Sequence, residues 1–141
     1  MQRQRLLTAL AIVGVLAACS SSSPAASGGG SSVDATLKEW EFKLSSSTGP
    51  AGDVTFNIQN NGDKTHEFVV VSTDTAADSL PVDEAADEVD ETQFTPVDEV
   101  EDIVSGSTAT LTVTLEPGHY VILCNLTGHY AKGMAADFTV E

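Results

Sequence analysis

The stretch PGHYVILCNLTGHYAKGMAADF, residues 117–138, decides the fold and carries the chemistry. Pro117 and Gly118 turn the chain into an apolar run in which Tyr120, Ile122 and Cys124 share one parity and His119, Val121 and Leu123 the other. Side chains alternate between faces along a strand, so Cys124 ends the inward row and His119 begins the outward one. Residues 125–133 contain Gly128 and Gly133 and lose the alternation, which marks a turn; residues 135–140 resume as a closing strand. The turn joins two strands and holds Cys124, His129 and Met134, with four residues in each gap.

A thiol, an imidazole and a thioether are soft or borderline donors. Together they suit copper better than magnesium or calcium, although Cys and His also suit zinc. A second imidazole is available in KTHEFVVV, where His66, Phe68 and Val70 share one parity, so His66 sits at the mouth of a strand with apolar neighbours below it. His119, on the outward row, is expected at the surface and outside any metal set.

Working outward, residues 108–115 (TATLTVTL) give the plainest strand, and residues 54–58 (VTFNI) alternate cleanly as another. Residues 33–44 (VDATLKEWEFKL) are read as one strand with a register break near Lys38, with Trp40 in the core. Residues 74–106 abandon the alternation and concentrate acid. Within them Val82, Ala85, Ala86 and Val89 recur at helical spacing, which predicts a short amphipathic helix packed on the sheet, the rest being loop and edge. Short strands separated by Gly, Pro and Asn turns specify an all-β antiparallel sandwich with this one short helix in the acidic insertion.

The C-x4-H-x4-M spacing and the upstream histidine in NNGDKTHEFVV resemble the cupredoxins, the blue copper proteins related to plastocyanin, azurin, rusticyanin and auracyanin. The resemblance covers about the last hundred residues. It implies a Greek-key β-sandwich with mixed pairing at the first strands. It also implies a type 1 copper site in which His66, Cys124 and His129 form a trigonal set, with Met134 as a long axial ligand and His129 as the edge through which electrons pass. Two departures stand out: Thr127 occupies a position where many relatives have Pro, and Glu67 follows the first histidine where azurin-like members have Asn. The second puts in question a side-chain hydrogen bond that ties the two ligand loops together.

The chain's start, MQRQRLLTALAIVGVLAACS, places Arg3 and Arg5 before an apolar run too short to span a bilayer as a helix, as an export signal does. Leu16, Ala17, Ala18 and Cys19 resemble a bacterial lipobox, which implies lipidation of Cys19. The expected organisation is a signal peptide over residues 1–18, a lipidated Cys with a Ser/Gly-rich tether over 19–33, and a copper domain over 34–141. With Cys19 acylated, Cys124 is the single free thiol of an exported chain, where copper ligation would protect it from oxidation.

Twenty-one acidic residues against six Lys and Arg give a formal charge of −15. Such a surface argues against nucleic acid; it fits a basic docking surface on a redox protein partner, and equally a solvated acidic face with no partner. The chain is expected as a monomer, anchored by its lipid to a bacterial membrane and facing the periplasm or cell exterior. Enzyme chemistry is not expected. Cys124 ends a strand with no helix N-terminus to lower its pKa, and no third group orients a Cys124 and His129 pair. With three histidines in all, only His119 is left for a further copper cluster. Two functions fit the donors: a one-electron carrier, and a copper-binding or delivery protein without electron transfer.

Overall fold

The computed structural model describes residues 30–141. The residues read as an export signal, Cys19 and most of the expected tether lie outside the described residues. Eleven strands follow one another: β1 (Ser31–Lys38), β2 (Glu41–Leu44), β3 (Thr48–Gly49), β4 (Gly52–Asn60), β5 (His66–Ser72), β6 (Val82–Asp83), β7 (Glu88–Val89), β8 (Thr95–Ile103), β9 (Thr108–Leu115), β10 (Gly118–Leu123) and β11 (Ala135–Val140). One sheet has the order β2-β1-β4-β9 and the other β3-β11-β10-β5-β8, with β6 and β7 forming a small separate ladder. Pairing is antiparallel except for β1 with β4 and β3 with β11. The expected sandwich with mixed pairing at its first strands is what the chain forms.

The inward rows build the core between the sheets. Val54, Phe56 and Ile58 of β4 and Leu111, Val113 and Leu115 of β9 meet Phe68 and Val70 of β5 and Tyr120 and Ile122 of β10. The Phe56 ring packs against Phe68 and Phe138 at centroid distances of 5.2 and 5.5 Å, geometries in which aromatic pairs attract beyond their buried area.

Three expectations need correction. Residues 33–44 are two strands, not one with a register break: β1 and β2 form a hairpin that pairs Lys38 with Glu41, and Glu39 and Trp40 make its turn. Trp40 is consequently half-buried at the end of the sandwich instead of inside the core. The predicted amphipathic helix is absent. Val82 pairs with Val89 across the β6–β7 ladder, and between them the Asp83 carboxylate and carbonyl accept from the backbone N–H groups of Ala85, Ala86 and Asp87. Only Val89 of the four residues is buried. A single turn of helix fixes several dihedrals for one hydrogen bond, whereas the Asp83 side chain offers the backbone a ready alternative.

The outward row of β10 is not solvated either. Val121 and Leu123, with Val69 and Val71 of β5, are covered by Ala77, Leu80 and Val89 from the acidic insertion, with Phe94 and Tyr130 at the rim. The insertion thus closes a second small core on the outer face of the sheet. Its remainder forms β8, a nine-residue edge strand, whose exposed Asp98, Glu99, Glu101 and Asp102 discourage pairing with another chain.

Candidate metal centre

β5 and β10 are hydrogen-bonded neighbours, with Leu123 opposite Val69. This ladder sets His66 at the start of one strand and Cys124 just past the end of the other at a single pole of the sandwich. The turn after Cys124 folds back on itself: the Cys124 N–H donates to the Met134 carbonyl (3.0 Å), and the Met134 N–H donates to the His129 carbonyl (3.3 Å). Gly128 and Gly133 take φ of +74° and +103° inside it, a region that glycine enters without a Cβ clash.

The His66, Cys124 and His129 donors converge. Cys124 Sγ lies 3.2 Å from His129 Nδ1 and 3.9 Å from His66 Nδ1, and the two Nδ1 atoms are 3.3 Å apart. A point about 2.0 Å from all three atoms exists in their plane, which matches the ~2.0–2.1 Å of zinc–imidazole bonds and falls a little short of the ~2.3 Å of zinc–thiolate bonds, room for a small transition-metal ion. Cys124, His66 and Met134 are wholly buried, and His129 is half-buried. A Cys/His/His plane with a buried thioether nearby is the donor set that suits copper, so the residues present fit the ion that the sequence implies.

The surroundings are mostly buried. Burial pushes the Cys124 thiol pKa up, opposed by the N–H groups of Glu67 and Leu126; the Glu67 N–H stands 3.4 Å from Sγ. Burial holds His66 below the ordinary imidazole range, and Glu39 only partly offsets it. His129 is lowered by burial and then by His66, Lys132 and Lys64. Both imidazoles are therefore neutral at physiological pH, as metal ligation requires, and uptake of an ion must displace the thiol proton.

Neighbouring elements hold the two ligand loops. Asn60, fully buried, donates to the carbonyls of Lys64 and Ile103 (2.7 Å each) and accepts from the Gly62 N–H (2.9 Å), which shapes the loop before His66. Asn125, beside Cys124, exchanges two hydrogen bonds with the backbone of Val89 and donates to Glu91, docking the insertion on the ligand turn. Thr127, the departure from proline, donates to Glu88 (2.7 Å) and continues that docking. The tie questioned at Glu67 is present in another form, through its backbone N–H on Sγ.

His119 stays out of the cluster as expected. Its ring bridges the Thr73 carbonyl (2.6 Å) and the Asp137 carboxylate (3.0 Å), and it pairs with Thr139 on β11 near the strand end remote from Cys124. Sequence reasoning missed Glu39 and Trp40, which reach the site from the β1–β2 turn. Glu39 Oε1 stands 3.4 Å from His66 Nε2, and Trp40 stands edge-on to His129. A polar and an aromatic residue at a strand break are the one signal that marked them.

The sulfocyanin (SoxE) domain model matches residues 46–141. A search of curated proteins returns no match. Among solved structures, reduced auracyanin from Roseiflexus castenholzii is 24% identical, with a TM-score of 0.60 over 80% of this chain and 99% of that one. Rusticyanin from Thiobacillus ferrooxidans is 20% identical, with a TM-score of 0.56 over 78% of this chain and 76% of that one. Auracyanin A, a "blue" copper protein from Chloroflexus aurantiacus, is 19% identical, with a TM-score of 0.54 over 80% of this chain and all of that one. These likenesses establish the shared fold, and the matched domain covers most of the residues that build the sandwich and its metal pole. The chain belongs to the sulfocyanin (SoxE) domain family, within the cupredoxins.

Proposed function

We propose that this chain is an extracytoplasmic, membrane-tethered blue copper protein that carries single electrons between redox partners. The observation that carries the reading is the convergence of one sulfur and two nitrogens about a common point at the buried end of a rigid sandwich. Copper bound there would supply the one-electron couple. The protein's part is to hold Cys124 and His66 on adjacent strands and His129 and Met134 on a turn closed by its own hydrogen bonds. A ligand frame fixed in this way would change little with the charge of a bound ion, so reorganisation would be small, while the buried Met134 thioether and the low exposure of the site would set the potential. His129, half-buried, is the ligand through which electrons would leave.

The tether reading rests on the lipobox-like residues before Cys19, and a redox protein with a basic docking surface is the partner favoured by the formal charge of −15. Among the described residues, no helix is long and apolar enough to cross a membrane. Mass spectrometry of the membrane fraction should find a lipid on Cys19, and Cys19→Ala should release the protein; an unmodified, fully soluble wild type overturns the anchor.

The copper-reconstituted domain should show an intense visible thiolate-to-copper band that Cys124→Ser abolishes, and it should cycle reversibly through many oxidations and reductions. A colourless Cu(II) complex refutes the type 1 site. Irreversible transfer of the metal to an apo acceptor, without redox cycling, would move the assignment to copper delivery.

A further inference from the structure

The metal-facing atom of His66 is Nδ1. An imidazole that gives Nδ1 to a metal carries its proton on Nε2, and that N–H needs an acceptor. His66 Nε2 is fully buried and makes no well-formed hydrogen bond; the group in front of it is the carboxylate of Glu39, with Oε1 at 3.4 Å. The contact is long for a hydrogen bond. It needs only a small approach to become one.

The carboxylate is itself seated in a built cradle. Oε1 accepts from the Lys64 N–H at 2.8 Å. Gly62 lies against it so closely that a Cβ there would stand 2.8 Å from both Glu39 Cδ and Oε2. Gly62 is buried, and Asn60 accepts its N–H. Thus the turn between β1 and β2 sends one acid into the β4–β5 loop, where a glycine makes room and a backbone donor aims it at the outer nitrogen of a ligand histidine. The lysines nearest in sequence, Lys38 and Lys64, are both exposed.

We propose that Glu39 is a positioning residue of the metal centre: its carboxylate accepts the Nε2 proton of His66, fixes the ring with Nδ1 toward the ion, and favours the oxidised over the reduced metal. The inference rests on the copper reading above and deepens it. A negative charge on the far side of the imidazole makes the ligand more basic, and the more highly charged Cu(II) gains more from this than Cu(I).

The test uses copper-loaded wild type, Glu39→Gln and Gly62→Ala. Glutamine keeps the shape and removes the charge, whereas the alanine methyl pushes the flexible carboxylate out of its seat with its charge intact. Both should retain the visible band. Chelator competition should show Cu(II) affinity falling about 10–100-fold and Cu(I) affinity falling less. Each tenfold difference between the two losses raises the reduction potential by about 59 mV. A potential and a Cu(II) affinity unchanged in both variants overturn the proposal. So does a loss of thermal stability that is equal with and without copper and leaves the potential unmoved, because the carboxylate would then only pin the hairpin to the loop. Failure of the wild type to bind copper is a separate result, which removes the metal reading beneath.

Discussion

Trp40 stands edge-on to His129, with ring centroids 5.2 Å apart and planes at 78°, and Lys132 Nζ lies 4.4 Å from the centre of the Trp40 ring. The indole therefore covers the one ligand that is not fully buried, and the ammonium sits on the same aromatic ring.

Removing that cover should wet the site. Trp40→Ala is expected to keep the copper but lower the reduction potential, because water stabilises the higher charge of the oxidised state. Loss of the aromatic contact and of the cation over the ring should cost about 1–2 kcal/mol of stability. Trp40→Phe should restore most of both. Voltammetry and thermal melts of the loaded variants check this, and an unchanged potential in Trp40→Ala would show that the indole does not shield His129.

Met134 is wholly buried, and its backbone is tied to Cys124 and His129. Leucine conserves volume, and such swaps in packed sites cost less than about 1.5 kcal/mol. Met134→Leu should therefore fold and hold copper through the remaining three donors, while its potential rises as the thioether donor is lost. A potential equal to wild type would remove Met134 from the ligand set.

Glu67 supplies a pH dependence. Burial is the main reason its carboxyl is pushed up to about 7, helped by Glu91, Glu99 and Glu101 and opposed by the Asn125 N–H. The folded state then keeps a proton that the unfolded chain gives up near its ordinary value of 4.5. The resulting stabilisation is complete below about pH 4.5 and is lost as pH rises through about 7. Glu67→Gln should abolish that loss, so in the metal-free domain it should gain about 1 kcal/mol over wild type at pH 8, after allowance for partial exposure. This corresponds to about 4–8 °C in Tm, with little difference at pH 4. Parallel pH profiles for the two proteins would contradict it.

Asn60→Ala should be the costliest polar substitution in the site's support. It strands the Lys64 and Ile103 carbonyls and the Gly62 N–H, and buried groups left unpaired cost about 1–3 kcal/mol each before relaxation. A net loss of roughly 3 kcal/mol is expected, together with weaker copper binding, since the loop Asn60 shapes leads into His66. Denaturant unfolding and copper titration measure the two effects. A loss below 1 kcal/mol would mean that water replaces the side chain.

Local chemistry and local period were enough for much of this protein. Donor types, the four-residue gaps around His129, the parity that turns Cys124, His66 and Phe68 inward, and the strands near residues 108–115 and 135–140 were all legible in the chain. Each depends on neighbours within a few positions, and a two-residue alternation is written into the side chains themselves. The hidden parts depend on partners far away in sequence. Asp83 turned a helical spacing into a hairpin through hydrogen bonds that periodicity does not encode. Val121 and Leu123 looked outward, yet the insertion covers them.

The sequence alone determined which atoms could bind a metal and on which face of their strands they would lie. Only the tertiary structure decided that His66 meets Cys124 and His129 about one point, that Trp40 shields one imidazole, and that Glu39 faces the other. The physical reason is that strand pairing fixes distances between residues tens of positions apart, and that pairing is settled by burial of the whole core, not by any one segment's pattern.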